Sequence, residues 1–460
     1  MTQQRFDAIV VGAGQAGPSL AGRLAQAGRR VAIVERKLFG GTCVNTGCTP
    51  TKTLIASAYV AHKARTAKSY GIDVAGPVLT DMKAVKARKD AVLLKSRNNI
   101  ETWLRGMENC TVFTGQAQFE SPTEMRVGED LLSAPQIFLN VGGRARVPEM
   151  PGLKEIPFLT NTSVLELDTL PRHLAVVGGS YIGIEFAQAF RRLGSEVTLV
   201  EMGPRLAQKE DEDVSAAIKE ILEKEGIHVR LNAECISLHN APEGVSVGVT
   251  CAEDGKPTEA SHVLLAVGRV PNTDDLGLEK AGVVVDERGY IEVDDQLRTS
   301  VPGIWAMGDC NGRGAFTHTA YNDFEIVAAN LLDNDPRRVS DRIATYGLFM
   351  DPPLGRVGMT EREVRERGKP ALIGTRPMTK VNRAVEKGES EGFMKILVDA
   401  ESKLILGASI LGVGGDEAIH CITDVMYARA PYTTIQRAVH IHPTVSELIP
   451  TMLGDLKPLQ

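Results

Sequence analysis

Asp7-Ala8-Ile9-Val10-Val11-Gly12-Ala13-Gly14-Gln15-Ala16-Gly17 is the stretch on which the fold turns. An apolar run of strand length, residues 6–11, ends in a Gly-x-Gly-x-x-Gly turn, and a helical pattern then continues to about residue 27. A second apolar run, Val31-Ala32-Ile33-Val34, closes on Glu35. Strand, turn, helix and strand in this order make a βαβ unit of the kind that binds a dinucleotide. Each glycine has its own task. Gly12 makes the turn, Gly14 lets the backbone approach a pyrophosphate, and Gly17 lets helix and strand pack closely, with the phosphates at the helix N-terminus. Glu35 lies 23 positions after Gly12, near the ~20 expected where a carboxylate ending the second strand binds a ribose 2′-hydroxyl.

The same device occurs again. Leu174-Ala175-Val176-Val177 leads into Gly178-Gly179-Ser180-Tyr181-Ile182-Gly183, a helix to about residue 193, and Val197-Thr198-Leu199-Val200 ending at Glu201, again 23 positions after the first glycine. One such glycine pattern is weak evidence; two, each with strands, helix and acid in place, are strong. Ser180 replaces the middle glycine, either as a tolerated small residue or as the mark of an altered nucleotide site.

Around these units the sequence predicts a helix over 50–64, a long polar helix over 80–107, strands within 111–140, a helix over 211–225 and a strand over 263–267. From about residue 337 the pattern changes to strands and short helices without a phosphate loop. A length of 460 residues is consistent with roughly three domains, and without a low-complexity linker they are expected to pack on each other. With 43% hydrophobic residues and 24% charged the chain can bury a large core, and its net charge of −6 gives no basic footprint for nucleic acid. No apolar run approaches the ~18 residues of a membrane span. Partners are therefore expected to be small molecules or protein thiols. Residues 1–5 pass directly into the first strand, which leaves no room for a signal peptide and points to a cytoplasmic location.

Gly40-Gly41-Thr42-Cys43-Val44-Asn45-Thr46-Gly47-Cys48-Thr49-Pro50-Thr51-Lys52 follows the first unit at once. Of seven cysteines only Cys43 and Cys48 lie close together, and none forms a CxxC, so neither a disulfide framework nor a zinc site is expected. Five residues of regular helix advance about 7.5 Å, whereas bridged cysteines need Cα atoms within roughly 4.4–6.8 Å. A bridge here requires a bend. Gly47 supplies a flexible position and Pro50 suits a first helical turn, which puts Cys43 in or before a distorted turn and Cys48 just ahead of the regular helix. Unpaired N–H groups there stabilise a thiolate, favouring Cys48 as the more acidic thiol. Spacing alone also permits two free core thiols, since disulfides are rare inside cells. Lys52 follows Cys48 by one helical turn and shares its face.

Taken in order, these runs together with Ala266-Val267-Gly268-Arg269-Val270-Pro271-Asn272, Ala306-Met307-Gly308-Asp309 and His440-Ile441-His442-Pro443-Thr444-Val445-Ser446-Glu447 span essentially the whole chain. The series resembles the class I pyridine nucleotide-disulfide oxidoreductases: dihydrolipoamide dehydrogenase, glutathione reductase and mercuric reductase. The resemblance implies an α/β fold with two Rossmann-like nucleotide-binding domains, for FAD and NAD(P)H, and a C-terminal α+β dimerisation domain. It divides the chain into an FAD domain (1–150 and 268–336), an NAD(P)H domain (151–267) and a dimerisation domain (337–460).

By the same resemblance, Cys43 and Cys48 form a redox-active disulfide against the flavin. Gly12, Gly14, Gly17 and Glu35 hold the FAD pyrophosphate and ribose, Thr42 and Lys52 lie along the flavin, Gly115 and Ala117 pass near the adenine, and Asp309 bonds the ribityl chain. Gly178, Ser180, Gly183, Glu201 and Gly268 serve the nicotinamide nucleotide, Tyr181 covers the flavin until nicotinamide displaces it, and Glu185 pairs with Lys52. A histidine oriented by a carboxylate exchanges protons near neutral pH. His442, oriented by Glu447, is implied to reach across a homodimer to the partner subunit's Cys43. Glu201 favours NADH, because a carboxylate repels the 2′-phosphate for which NADPH sites usually supply arginine; Arg205 close by keeps NADPH open.

The implied activity passes electrons from NAD(P)H through FAD to the sulfur pair and on to a small-molecule or protein disulfide, or runs in reverse from a dithiol. Two other readings compete with it. Residues 44–58 and Phe316-Thr317-His318-Thr319 resemble mercuric reductases, which points to reduction of mercuric ion. Against this, residues 453–460 lack a vicinal cysteine pair, no CxxC domain precedes Phe6, and His442 stands where mercuric reductases carry tyrosine. The other reading is a flavin-bound redox sensor with little turnover, disfavoured by the nicotinamide unit and the His442/Glu447 pair.

Overall fold

The computed structural model describes residues 2–249 and 256–459, so that Cys251 lies outside the described residues. Its first sheet has five parallel strands in the order Ile304–Ala306, Gln136–Leu139, Ala8–Val11, Val31–Glu35 and Cys110–Thr114. Every residue of Ala8–Val11 and Val31–Glu35 is buried, as parallel strands covered on both faces require. Side chains alternate across the sheet. Ala8, Val10, Val31 and Ile33 join Leu20 and Leu24 of the helix Gly17–Gln26 in one core. Ile9, Val11, Ala32 and Val34 face Phe119, Met125 and Leu132 in another. The sheet is sewn from two separated parts of the chain, because Ile304–Ala306 returns from beyond the second nucleotide unit to pair with Gln136–Leu139.

The N-terminus departs from expectation. The strand expected over 6–11 is Ala8–Val11, and ahead of it Thr2–Arg5 forms a strand of its own that pairs with Asp130–Ser133. Its partner lies more than a hundred residues away, and the polar sequence Thr-Gln-Gln-Arg carries no local apolar alternation to announce it.

The second unit forms a four-stranded parallel sheet, in the order His228–Arg230, Glu196–Val200, His173–Val177, His262–Leu265. Its helix Tyr181–Leu193 is buried along most of its length because it is covered twice. Ile184, Phe186 and Phe190 share a core with sheet residues Leu174, Val176 and Leu199 and with Leu54 and Ala58 of the helix Cys48–Thr66. The cysteine helix is thereby docked against the second nucleotide unit. The helices predicted over 80–107 and 211–225 occupy Met82–Arg105 and Glu212–Lys224; Asp81 caps the former by accepting from Ala84 N at 3.1 Å.

The last part is a six-stranded antiparallel sheet, in the order Thr345–Leu348, Leu354–Gly358, Ile405–Leu411, Phe393–Asp399, Ala371–Pro377, Lys457–Pro458. The helix Gly415–Tyr427 packs Ala418, Ile419 and Ile422 against Val357, Ala408 and Ile410 of this sheet. The fold is thus two Rossmann-like units and a C-terminal α+β domain. No helix among the described residues is long and apolar enough to cross a membrane.

Candidate active site

At its first and last glycines each turn is too tight for a side chain. A Cβ on Gly17 would stand 2.0 Å from the Gly12 carbonyl oxygen, and one on Gly183 1.8 Å from that of Gly178. Gly12 and Gly178, at φ +101° and +111°, adopt backbone that L residues rarely enter. The two acids repeat the same contacts. Glu35 accepts from Ala13 N at 2.9 Å and Lys37 N at 2.8 Å; Glu201 accepts from Gly179 N at 2.6 Å and Gly203 N at 2.8 Å. Each carboxylate is fixed beside its turn, where a ribose would lie, and these cradles fit dinucleotides.

Ser180 finds its explanation in the residue opposite. In the first turn a Cβ on Gly14 would lie 2.9 Å from Asn140 Oδ1, whose amide group accepts from Gly17 N at 3.0 Å and donates to Met307 O at 3.0 Å. In the second turn Ala266 holds the corresponding place, its carbonyl facing Gly178 as that of Asn140 faces Gly12. Alanine leaves room. Ser180 is exposed, with extended backbone at φ −94° and ψ −175°, so the substitution carries no backbone strain.

Other expected contacts gather around the first turn. Gly115 N bonds Glu35 O at 3.0 Å, and Ala117 is buried at the start of the strand Ala117–Ser121. Thr42 and Asp309 meet through Arg269, whose guanidinium donates to Gly143 O at 2.6 Å and Asp309 Oδ2 at 3.3 Å, while Thr42 Oγ1 donates to the same Gly143 O at 3.4 Å. Gly268, at φ +110°, precedes that arginine with open space where a Cβ would be.

The cysteine segment is two helices set end to end, Gly41–Thr46 and Cys48–Thr66, broken at Gly47. This corrects the expectation of a single distorted turn with the regular helix starting at Pro50: Cys48 is itself the first helical residue. A Cβ on Gly47 would meet Thr42 O at 2.8 Å and Cys43 Cα at 3.3 Å, so only glycine lets the two halves close. Asn45 ties the loop to Phe39 O and Gly41 O, both at 2.9 Å, and Arg97 holds Asn45 Oδ1 at 2.7 Å.

The expected Cys43–Cys48 bridge is not formed here; both are free thiols. The Cys43 thiol hydrogen-bonds the Cys48 sulfur, which moves the two acidities apart. Cys48 falls to about 6, chiefly through that bond and against its burial, helped by the Thr317 hydroxyl at 3.2 Å and the Lys52 ammonium. Cys43 is raised, because its proton is held in the same bond and the group is desolvated. One proton belongs to the pair. In an acid titration of the reduced protein, the thiolate ultraviolet absorbance that disappears on Cys48→Ser is expected to have its midpoint near pH 6. Thr317→Val, which removes a donor to the charged sulfur, is expected to move that midpoint upward; an unchanged midpoint contradicts this account of the thiolate.

Lys52 pairs with Glu185 as expected, Nζ lying 2.9 and 2.8 Å from its two oxygens. The Glu185 side chain is only 7% exposed and also accepts from Phe349 N at 3.0 Å, while the ammonium stands 4.6 Å above the Phe349 ring. One ion pair thus joins the sulfur helix, the second nucleotide unit and the C-terminal domain. Tyr181, first residue of its helix, packs against Phe316 and Tyr346, the former stacked in turn on His318, and donates to Glu210 Oε1 at 2.9 Å. Asn140, Thr317, Arg269, Glu210 and Tyr346 are not assigned as site residues by the sequence; of these Arg269, inside the Gly-Arg-Val-Pro-Asn run, and Thr317, inside Phe316-Thr317-His318-Thr319, carry a signal.

His442 Nδ1 lies 2.9 Å from Glu447 Oε2 and 3.1 Å from Oε1, which leaves Nε2 facing outward on a ring that is 67% exposed. Its neighbours Val439 and Ile441 are apolar and among the most exposed side chains of the protein. Among the described residues His442 bonds Glu447, not the sulfurs of its own chain. No group of three or more His, Cys, Asp or Glu side chains among the described residues is arranged to hold a metal ion.

Residues 6–323 match the family model for pyridine nucleotide-disulphide oxidoreductases, and residues 345–453 match the dimerisation domain of the same family. The Escherichia coli protein RclA, a probable pyridine nucleotide-disulfide oxidoreductase, is 36% identical over 98% of this chain and 100% of its own. Its solved structure, described as an HOCl-induced flavoprotein disulfide reductase, aligns with a TM-score of 0.89 at 37% identity over 98% of this chain and 100% of that one; it has also been solved as a Cu(II) complex. Dihydrolipoyl dehydrogenase of Chlamydia muridarum is 34% identical, covering 97% of this chain and 95% of its own. Mercuric reductase of Streptomyces lividans is 33% identical over 96% and 94%.

Proposed function

Because this chain belongs to the class I pyridine nucleotide-disulfide oxidoreductases, flavin enzymes acting on sulfur groups, we propose that it moves electrons between NAD(P)H and a disulfide or dithiol substrate through Cys43 and Cys48. The observation that carries this reading is the sulfur pair: two facing thiols of divided acidity at a helix N-terminus, in a segment docked between two dinucleotide cradles. FAD, bound by Gly12, Gly14, Gly17, Glu35, Thr42, Lys52, Gly115, Ala117 and Asp309, supplies two-electron exchange between the nicotinamide and the sulfurs. Division into residues 1–150 with 268–336, 151–267 and 337–460 follows, supported by the pairing of Ile304–Ala306 with Gln136–Leu139.

In the direction of disulfide reduction, Cys43 attacks one substrate sulfur, its proton passing to His442 Nε2 of the partner subunit. A mixed disulfide forms, and the first substrate thiolate leaves with the proton that the imidazolium returns. The Cys48 thiolate then attacks Cys43 Sγ and expels the second substrate thiolate, so that the substrate gains two electrons and the protein pair becomes a disulfide. Glu447 fixes the His442 tautomer through Nδ1. The exposed apolar residues Val439 and Ile441 beside His442 support a homodimer in which this segment is covered.

NADH is the favoured nucleotide, held by Gly178, Ser180, Tyr181, Gly183, Glu201 and Gly268. The Glu201 carboxylate is pinned by two backbone amides and by Gln208 at 3.0 Å. Arg205 is engaged with Glu212 at 2.8 Å rather than free to meet a phosphate. The kcat/KM for NADH is expected to exceed that for NADPH by roughly a hundredfold, the scale of setting like charges together; equal values contradict the assignment. A second reading, reduction of a soft metal ion, is favoured by the mercuric reductase relative, since thiolates suit such ions. Rapid-mixing reoxidation of the reduced protein by a panel of disulfides and by mercuric ion separates the two. Reoxidation by disulfides supports the first, and reoxidation by mercuric ion alone replaces it with the second.

A further inference from the structure

We propose that Glu210 is a latch for Tyr181, a positioning residue that holds the tyrosine ring closed across the nicotinamide side of the site and so sets how readily the nucleotide is admitted. This rests on the NAD(P)H reading above and goes past it by naming the residues that govern entry.

Tyr181 begins the helix that follows the second glycine turn, so its ring stands at the mouth of that cradle. The ring centroid lies 6.3 Å from that of Phe316, whose neighbour Thr317 bonds Cys48. Tyr181 therefore adjoins both the second glycine turn and the segment that contacts the sulfurs. Its hydroxyl and that of Tyr346 donate to the same Glu210 oxygen, Oε1, at 2.9 and 2.8 Å, with the two rings 5.6 Å apart. Burial and the Glu210 charge raise the pKa of both phenols, which keeps both as donors.

Glu210 is only 2% exposed, and a buried carboxylate needs a charged partner. Its other oxygen faces Arg356 Nη1 at 3.4 Å, and the same nitrogen reaches Asp211 Oδ2 at 3.2 Å. Lys395, buried beside them, holds Asp211 at 3.0 Å, Asp213 at 2.7 Å and Glu361 at 3.1 Å. Tyr346, Arg356 and Lys395 come from three strands of the C-terminal sheet, whereas Tyr181, Glu210 and Asp211 belong to the second nucleotide unit. The latch is thus gripped from the C-terminal domain, and a gate hydroxyl bonded to this anchored carboxylate must let go before its ring can swing.

A closed gate lowers apparent affinity in proportion to the fraction of molecules that are open. The test is calorimetric binding of NAD⁺ to the oxidised, FAD-loaded protein, in the wild type, Tyr181→Phe, Glu210→Gln and the double variant. Tyr181→Phe keeps the ring and leaves Glu210 with Arg356, so it serves as the primary variant should Glu210→Gln fail to fold. It is expected to bind NAD⁺ roughly tenfold more tightly, the scale of one hydrogen bond to a charged acceptor. Glu210→Gln is expected to tighten binding as well, and the double variant to bind no more tightly than Tyr181→Phe alone, because the bond is already absent. Unchanged or weakened binding in Tyr181→Phe, or additive effects in the double variant, overturns the latch and leaves the nucleotide reading in place. Failure of the wild type to bind NAD⁺ or NADP⁺ at all contradicts both.

Discussion

Cys48→Ser is expected to lower NADH-driven disulfide reduction by at least about a thousandfold, the order lost when a covalent participant is removed. The substitution changes one atom at the start of a helix, where serine is also accommodated, so folding and flavin retention are expected to persist. What disappears is the sulfur that resolves the mixed disulfide and closes the bridge with Cys43. Cys43→Ser is expected to be equally inactive for a different reason, since the attacking thiol is gone. The two are told apart by the remaining thiol. The hydrogen bond from Cys43 is the largest cause of the low Cys48 pKa, so in Cys43→Ser the Cys48 titration is expected to move upward. Steady-state turnover with a disulfide panel and titration of each purified variant measure both; retained turnover in Cys48→Ser contradicts the assignment.

His442→Ala is expected to reduce turnover by roughly a hundredfold to ten-thousandfold, the usual weight of a positioned acid–base group. Glu447→Gln should cost less, because Nδ1 then loses its charged partner while Nε2 remains. The larger consequence concerns the dimer. His442 is turned outward between exposed apolar residues and bonds only Glu447 in its own chain among the described residues. When separately inactive Cys43→Ser and His442→Ala proteins are dissociated and reassociated together, each mixed dimer has one site with both groups intact if the site spans two chains. Under two-fold symmetry random mixing then restores about a quarter of wild-type activity. If Cys43 and His442 act within one chain, every site in the mixture is defective and no activity returns.

The βαβ units were legible in the sequence because their evidence is local: continuous apolar runs, a glycine turn and an acid at fixed spacing fall within thirty residues. The Lys52–Glu185 and His442–Glu447 pairs were reached by resemblance, and the first draws together residues 133 positions apart. What escaped depends on chain segments that only folding brings together. Nothing near Ser180 in sequence reveals that Ala266 leaves it space, and nothing near Gly14 reveals that the Asn140 side chain forbids one. Glu210 looked like one acid in the run Lys209-Glu210-Asp211-Glu212-Asp213; its place under two phenols and a buried guanidinium comes from packing between domains. The break at Gly47 was anticipated as a bend, but its form, one helix ending as another begins at Cys48, was set by the close approach of Thr42 O.

The central claim, that Cys43 and Cys48 form a reversible redox pair reduced by NAD(P)H, is tested most directly by differential alkylation read by mass spectrometry. The oxidised, FAD-loaded protein is denatured and alkylated before and after anaerobic addition of NADH, and each cysteine peptide is quantified. Cys43 and Cys48 are expected to be unlabelled and linked to each other before NADH and fully labelled after it, with Cys110, Cys235, Cys310 and Cys421 labelled in both samples. Equal labelling of Cys43 and Cys48 with NADH or NADPH and without either would contradict the account.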